Sequence, residues 1–211
     1  MTRYGGQYGP DVTFVGVNRC DLAEPVTYAD ADVVVLGAPF DGGTSHRPGA
    51  RFGPQAIRTT DYLAHDGSRP SLALRTDGLR DLRVLDAGDV EMPPGDIIEA
   101  LRRLEVAVEA VSRSGAIPVV LGGDHSIAYA DAKGVAGVVG HGQVSMLPFD
   151  AHADTGTSSS ARYGDTGNRC AGSSSPGRCA GTGSFKSACG ATGRPPRHWT
   201  GWPDRACVPM R

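Results

Sequence analysis

Asp150, His152 and Asp154 occupy alternate positions in the stretch Phe149-Asp150-Ala151-His152-Ala153-Asp154-Thr155. In an extended backbone alternate side chains share a face, so three ligand-type groups would point at one spot with roughly 6 to 7 Å between neighbours. Carboxylate oxygen with imidazole nitrogen suits a divalent ion of intermediate hardness, Mn, Fe, Co or Zn, better than a thiolate-loving one. A lone Asp-x-His-x-Asp is equally compatible with a polar surface turn, so a second group has to decide. Val119-Val120-Leu121-Gly122-Gly123-Asp124-His125-Ser126 is a short apolar run that ends in two glycines and another acidic and imidazole pair. A buried parallel strand has this form, and it would deliver His125 to the strand's C-terminal edge, where open α/β sheets place their ligands. Two adjacent strand tips carrying metal-type ligands argue for a shared cation site over surface decoration.

The elements that must position these groups can be read from the pattern of apolar residues. Residues 1 to 31 read as a lead-in arm with one apolar patch at Val12 to Val17, and Cys20 in this arm reads as just a small side chain. Asp32 to Phe40 is a continuous apolar run closing on Pro39, which predicts a buried first strand. The loop from Asp41 to Pro54 holds four glycines and two prolines, a composition that fits either a site loop or a long turn into a helix. Pro54 to Leu63 predicts that helix, with Pro at its start. Leu82 to Val90 predicts a second strand with Asp86 and Asp89 at its exit. Pro94 to Ser112 carries apolar residues at 97, 98, 101, 104, 108 and 111, which is helical spacing, with Asp96 near its N-terminus. Ile117 to Leu121 predicts the third strand, about Ile127 to Val139 another helix, and Gln143 to Asp150 the fourth strand. Strands alternating with helices argue for right-handed βαβ units and a parallel sheet.

The 211 residues carry a net charge of −2, which gives no electrostatic case for nucleic acid or an anionic membrane as a partner. No run of about 18 apolar residues occurs, and the N-terminus lacks the apolar core of a signal peptide, so the expected location is cytoplasmic. The average hides a break. Up to Thr155 there are 13 Lys+Arg against 21 Asp+Glu; from Gly156 onward there are 8 against 2. After Thr155 there is no Leu, no Ile and one Val, Val208. Such a stretch cannot bury enough apolar surface to offset its ordering entropy. The expected organisation is therefore a folded part, residues 1–155, followed by a disordered Gly/Ser/Arg/Cys tail, residues 156–211, of the kind a shifted reading frame produces. Cys170, Cys179, Cys189, Cys207 and His198 lack the close Cys-x2-4-Cys spacing of structural zinc sites.

Five segments together resemble a known family: 37 to 45 (Gly-Ala-Pro-Phe-Asp-Gly-Gly-Thr-Ser), 47 to 58 (Arg-Pro-Gly-Ala-Arg-Phe-Gly-Pro-Gln-Ala-Ile-Arg), 85 to 90 (Leu-Asp-Ala-Gly-Asp-Val), 122 to 126 (Gly-Gly-Asp-His-Ser) and 149 to 155. In order and spacing they are similar to the ureohydrolases, the arginase and agmatinase family, and the loop at 47 to 58 is closer to the agmatinases. The resemblance implies a three-layer α/β/α fold on a parallel sheet, here incomplete at about four strands. It implies hydrolysis of a C–N bond in a linear amidine, with two Mn2+ ions sharing a hydroxide that attacks a guanidinium carbon and releases urea. The implied partner is a small guanidino substrate such as agmatine, and the intact fold is expected to form homo-oligomers. Carried over by motif, His125 and Asp154 would bind one ion, His152 the other, and Asp150 would bridge, with Asp124 orienting its neighbour from behind.

The departures bear on activity. The family's later Ser-x-Asp-x-Asp-type motif, its proton-shuttling His and its late substrate-facing Glu have no counterpart here, since the tail contains no Glu and reads Arg162-Tyr163-Gly164-Asp165 after the metal segment. His141 reads as a loop residue. The metal residues present leave one site with His125, Asp154 and shared Asp150, the other with His152 and Asp150 alone, so weak or single occupancy and little urea release are expected. The competing reading is a non-catalytic metal-binding fragment. A nucleotide site at 41 to 53 does not fit, because that loop matches neither the dinucleotide fingerprint nor the Walker A spacing.

Overall fold

A computed structural model describes residues 7–8, 11–44, 46–60, 70–149 and 186–187. In chain order the elements are a 3-10 turn at Phe14–Gly16, β1 (Asn18–Arg19), a 3-10 turn at Pro25–Thr27, β2 (Val33–Ala38), a 3-10 turn at Ala50–Phe52 and α1 (Gly53–Thr59). The single turn α2 (Gly78–Asp81), β3 (Val84–Asp89), α3 (Ile97–Arg113), β4 (Ile117–Gly122), α4 (Ile127–Val139), β5 (Ser145–Met146) and β6 (Lys186–Ser187) follow.

Four strands form one parallel sheet in the order β1-β3-β2-β4. Alternation sorts the side chains of β2 between two layers. Val34, Leu36 and Ala38 join Leu85, Ala87, Leu101, Leu104 and Val108 in one core beneath α3 and α4. Asp86 faces the other way, toward Arg58 of α1. This is the three-layer α/β/α arrangement, thick on the α3/α4 side and thin on the side of the seven-residue α1. Helix α3 buries Ala100, Leu101, Leu104, Ala107, Val108 and Val111 at three- and four-residue intervals, each large aliphatic contributing about 1.5–3 kcal/mol. Its start is capped by Asp96, whose carboxylate accepts from the Glu99 N–H at 3.0 Å. Ile98, counted with the apolar stripe from sequence, is exposed instead.

Two expectations are corrected. The lead-in arm is not outside the sheet, because Asn18 and Arg19 pair with Leu85 and Asp86 and supply the fourth strand. Cys20 behind it packs in the core; burial, and secondarily the Asp86 charge, push its thiol up to about 11, so it stays protonated. The segment expected as the fourth strand forms only Ser145–Met146, which pairs with Lys186–Ser187 in a separate two-stranded ladder. Among the described residues β4, expected to be buried, is therefore an edge strand, with Ile117 63% and Val119 40% exposed. Asp150 and the rest of the tail except 186–187 lie outside the described residues, and so does its expected disorder. Among the described residues no helix is long and apolar enough to cross a membrane.

Candidate metal centre

The C-terminal edge of β4 is shaped by glycine. A Cβ on Gly123 would lie 1.9 Å from the carbonyl oxygen of Phe40, so only glycine lets the chain pass the end of β2 this closely. The close pass allows two backbone bonds past the last strand pair: Gly123 N–H donates to Ala38 O at 3.2 Å and Asp124 N–H to Phe40 O at 2.8 Å. These bonds set the direction in which Asp124 and His125 leave the sheet before α4 begins at Ile127.

His125 is half-buried in this turn, at the strand's C-terminal edge as the apolar run predicted. The Asp124 carboxylate is taken up by neutral donors. One oxygen accepts the Gly43 N–H at 2.7 Å; the other accepts the Ser126 N–H at 2.8 Å and the Ser126 hydroxyl. Asp124 therefore joins the glycine-rich loop to the turn that carries His125. Among the described residues no three His, Cys, Asp or Glu side chains converge as a metal cluster. Asp150, His152 and Asp154 lie outside the described residues, and His141 is an exposed turn residue. Of the four ligands expected from sequence, His125 is the one that falls among the described residues; its imidazole stands at a glycine-shaped strand tip beside an anchored carboxylate and is of a chemical type that divalent cations use.

Sequence reasoning left open whether the loop at 41–53 served a site, and it missed how that loop is held. Asp41, its side chain fully buried, accepts the Gly49 N–H at 2.6 Å, the Arg51 N–H at 3.3 Å and Arg51 Nε at 2.7 Å. The Arg51 hydrogen bond is the main reason the Asp41 carboxyl is held below its ordinary range. The loop is folded onto its own first residue and then fastened to Asp124 through Gly43. The signal available in the sequence was Asp followed by two glycines at the exit of a strand, a common turn-forming arrangement.

A second carboxylate pair lies on the same edge. Val35 pairs with Asp86 but Gly37 with Asp89, so β3 carries one extra residue in a bulge, and Gly88 at φ 75° is where it turns. Residues three apart on a regular strand face opposite ways; the bulge brings Asp86 and Asp89 to the same side. Arg58 lies between them with its side chain fully buried. Its Nε and Nη2 reach Asp86 at 2.9 Å each, Nη1 reaches Asp89, and Nη2 also donates to Gly88 O at 3.1 Å. Burial alone would push the guanidinium pKa down, but Asp86 and then Asp89 outweigh it and hold it above its ordinary value.

The sequence model described as the arginase family matches residues 31–178, more than half of the chain. Proclavaminate amidinohydrolase of Streptomyces clavuligerus is 42% identical over 125 residues, covering 59% of this chain and 38% of that protein. Its solved structure superposes with a TM-score of 0.62 at 32% identity, over 77% of this chain and 50% of the other. The mitochondrial agmatinase of Gallus gallus is 40% identical over 124 residues, 59% of this chain and 35% of its own length. A structure of Trypanosoma cruzi formiminoglutamase with Mn2+2 matches at a TM-score of 0.55 and 26% identity, over 72% of this chain and 51% of that one. The chain thus spans between a third and two-fifths of these curated relatives and about half of the solved structures.

Proposed function

Because the chain belongs to the arginase family, we propose that it carries the N-terminal half of a metal centre that hydrolyses a linear guanidino compound, of the agmatine type, to urea and an amine. The observation that carries this reading is the turn at the end of β4, where glycines at 122 and 123 let Asp124 bond backward to Phe40 and Gly43 while His125 stands at the sheet edge. In this proposal His125 and Asp154 hold one Mn2+, His152 holds the other and Asp150 is shared. Two such ions supply, when bound, a lowered pKa for water and Lewis-acid stabilisation of developing charge. This chain's own part is to hold the His125 imidazole in place. With both Asp124 oxygens accepting hydrogen bonds from Gly43 and Ser126, that carboxylate acts as a brace for the turn that carries His125. Mn2+ in a structure of a family relative supports the choice of ion.

The test is a calorimetric Mn2+ titration of the 211-residue chain together with a urea-release assay on agmatine. The expected result is Mn2+ binding that Asp150→Ala and His125→Ala each weaken at least tenfold, with little or no urea formed because the later carboxylate motif is missing from the tail. Indifference of Mn2+ binding to both substitutions would refute the ligand assignment. Turnover matching a full-length relative would refute the expected inactivity. Mn2+ binding that both substitutions weaken, without turnover, supports the ligand assignment and makes the 211-residue chain by itself a metal-binding part of such a centre.

A further inference from the structure

The glycine-rich loop is fastened at Asp41 and at Asp124, and a third fastening comes from a part of the chain far away in sequence. Gln7 lies across the exit of β3. Its N–H donates to Asp89 Oδ2 at 2.6 Å, and its side-chain amide meets the Met92 backbone at both ends, Nε2 donating to Met92 O at 3.2 Å and Oε1 accepting the Met92 N–H at 3.1 Å. Met92 is itself buried, so this two-point contact is anchored in the core. The next residue, Tyr8, reaches the loop. Its ring meets Phe52 edge-on with centroids 5.5 Å apart, and the Arg51 guanidinium stands over the same ring at 5.8 Å. Arg51 is the residue whose hydrogen bond and charge lock Asp41.

These contacts form one continuous path: Met92 and Asp89 hold Gln7, Tyr8 holds Phe52 and Arg51, Arg51 holds Asp41, and the loop so fixed presents Gly43 to Asp124. Neither Gln7 nor Tyr8 is needed to complete the sheet or the core beneath α3. We propose that Gln7 and Tyr8 form a strap that holds the 41–53 loop where Gly43 can brace Asp124, which makes them positioning residues for the turn carrying His125. The link from the strap to a bound cation rests on the function proposed above; the strap's hold on the loop does not.

Amide hydrogen exchange on the full chain separates these two levels. The Gly43 and Gly49 N–H groups report the loop directly, since each is held by one carboxylate, and the amides of β2 report the fold as a whole. Removing the ring in Tyr8→Ala deletes an edge-on aromatic pair and a cation–π contact, which together correspond to roughly five- to seventyfold faster exchange at both glycines. The β2 amides are expected to keep their rates, and Tyr8→Phe, which retains the ring, is expected to match wild type. Gln7→Ala, which breaks both bonds to Met92, is expected to loosen the same two amides and decides the matter if Tyr8→Ala loosens β2 as well. Wild-type exchange at Gly43 and Gly49 in Gln7→Ala, or in a folded Tyr8→Ala, would overturn the strap. Mn2+ titration then tests its reach: a several-fold weaker affinity in Tyr8→Ala, restored in Tyr8→Phe, is expected, and unchanged affinity with a loosened loop overturns the positioning role. A wild-type chain that takes up no Mn2+ would sink the proposed function and leave the exchange rates to judge the strap.

Discussion

Replacing Arg58 by Met removes the guanidinium that lies between two carboxylates with almost no access to water, with side-chain exposures of 0% for Asp86 and 2% for Asp89. Methionine keeps most of the stem's packing, so the loss isolates the guanidinium. After the change Asp86 retains the N–H groups of Phe14 at 2.7 Å and Gly88 at 2.8 Å, and Asp89 retains that of Gln7 at 2.6 Å. Those three dipoles soften the two charges but do not neutralise them. Stripping one partner from a buried ion pair costs about 3–5 kcal/mol, chiefly because the charge left behind is desolvated and uncompensated. Against a typical total of about 5–15 kcal/mol, that is a fifth or more of the stability. At about 2–4 °C per kcal/mol for a chain of this size, the melting temperature should fall by about 6–20 °C. Urea denaturation followed by circular dichroism at 222 nm gives the free energy directly. The triple variant Arg58→Met, Asp86→Asn, Asp89→Asn should recover at least half of the loss, since it removes the stranded charges along with their partner. A loss below about 1 kcal/mol for Arg58→Met, or no recovery in the triple variant, would show that the triad does not lock α1 and the arm to the sheet in this way.

Other expectations can be checked with the same equipment. Asp124→Ala should weaken Mn2+ binding by about 10- to 100-fold, the usual effect of losing a group that orients a ligand, and isothermal calorimetry reads it. Gly123→Ala places a methyl group against the Phe40 carbonyl and should cost about 1–3 kcal/mol in urea denaturation, a penalty that vanishes if the turn has room to move. Burial raises the Asp131 carboxyl to about 6 from an ordinary 3.8, so the folded state binds its proton more tightly than the unfolded one. Stability is then highest below the ordinary value and falls as pH rises through about 6, which makes Asp131→Asn, at this half-buried position, stabilising by at most about 3 kcal/mol at pH 7.5 and close to neutral at pH 3.5. Equal effects at the two pH values would show that Asp131 is hydrated.

Where an element is defined by its own residues, the amino-acid order was enough. The apolar run at 32 to 40 became β2 (Val33–Ala38), the helix expected at 127 to 139 is α4 (Ile127–Val139), and the run ending in two glycines put His125 at a strand tip. Each of these depends on hydrophobic periodicity and turn chemistry within about a dozen neighbours, which a single chain segment already contains. What joins segments far apart was not legible. Asn18 and Arg19 have no strand-like pattern; they are a strand because β3 offers them an unpaired edge. Asp86 and Asp89 read only as two acidic residues at a strand exit. Only the pairing of β3 with β2, with its bulge at Gly88, turns both toward Arg58. Likewise Asp41, Arg51 and Tyr8 are scattered in sequence, and their joint hold on the loop exists only once the arm has crossed the end of β3. The reason is energetic. Periodicity decides which face of a segment avoids water, but the choice of partner among several segments with suitable faces is made by contacts that form only when distant parts of the chain close on one another.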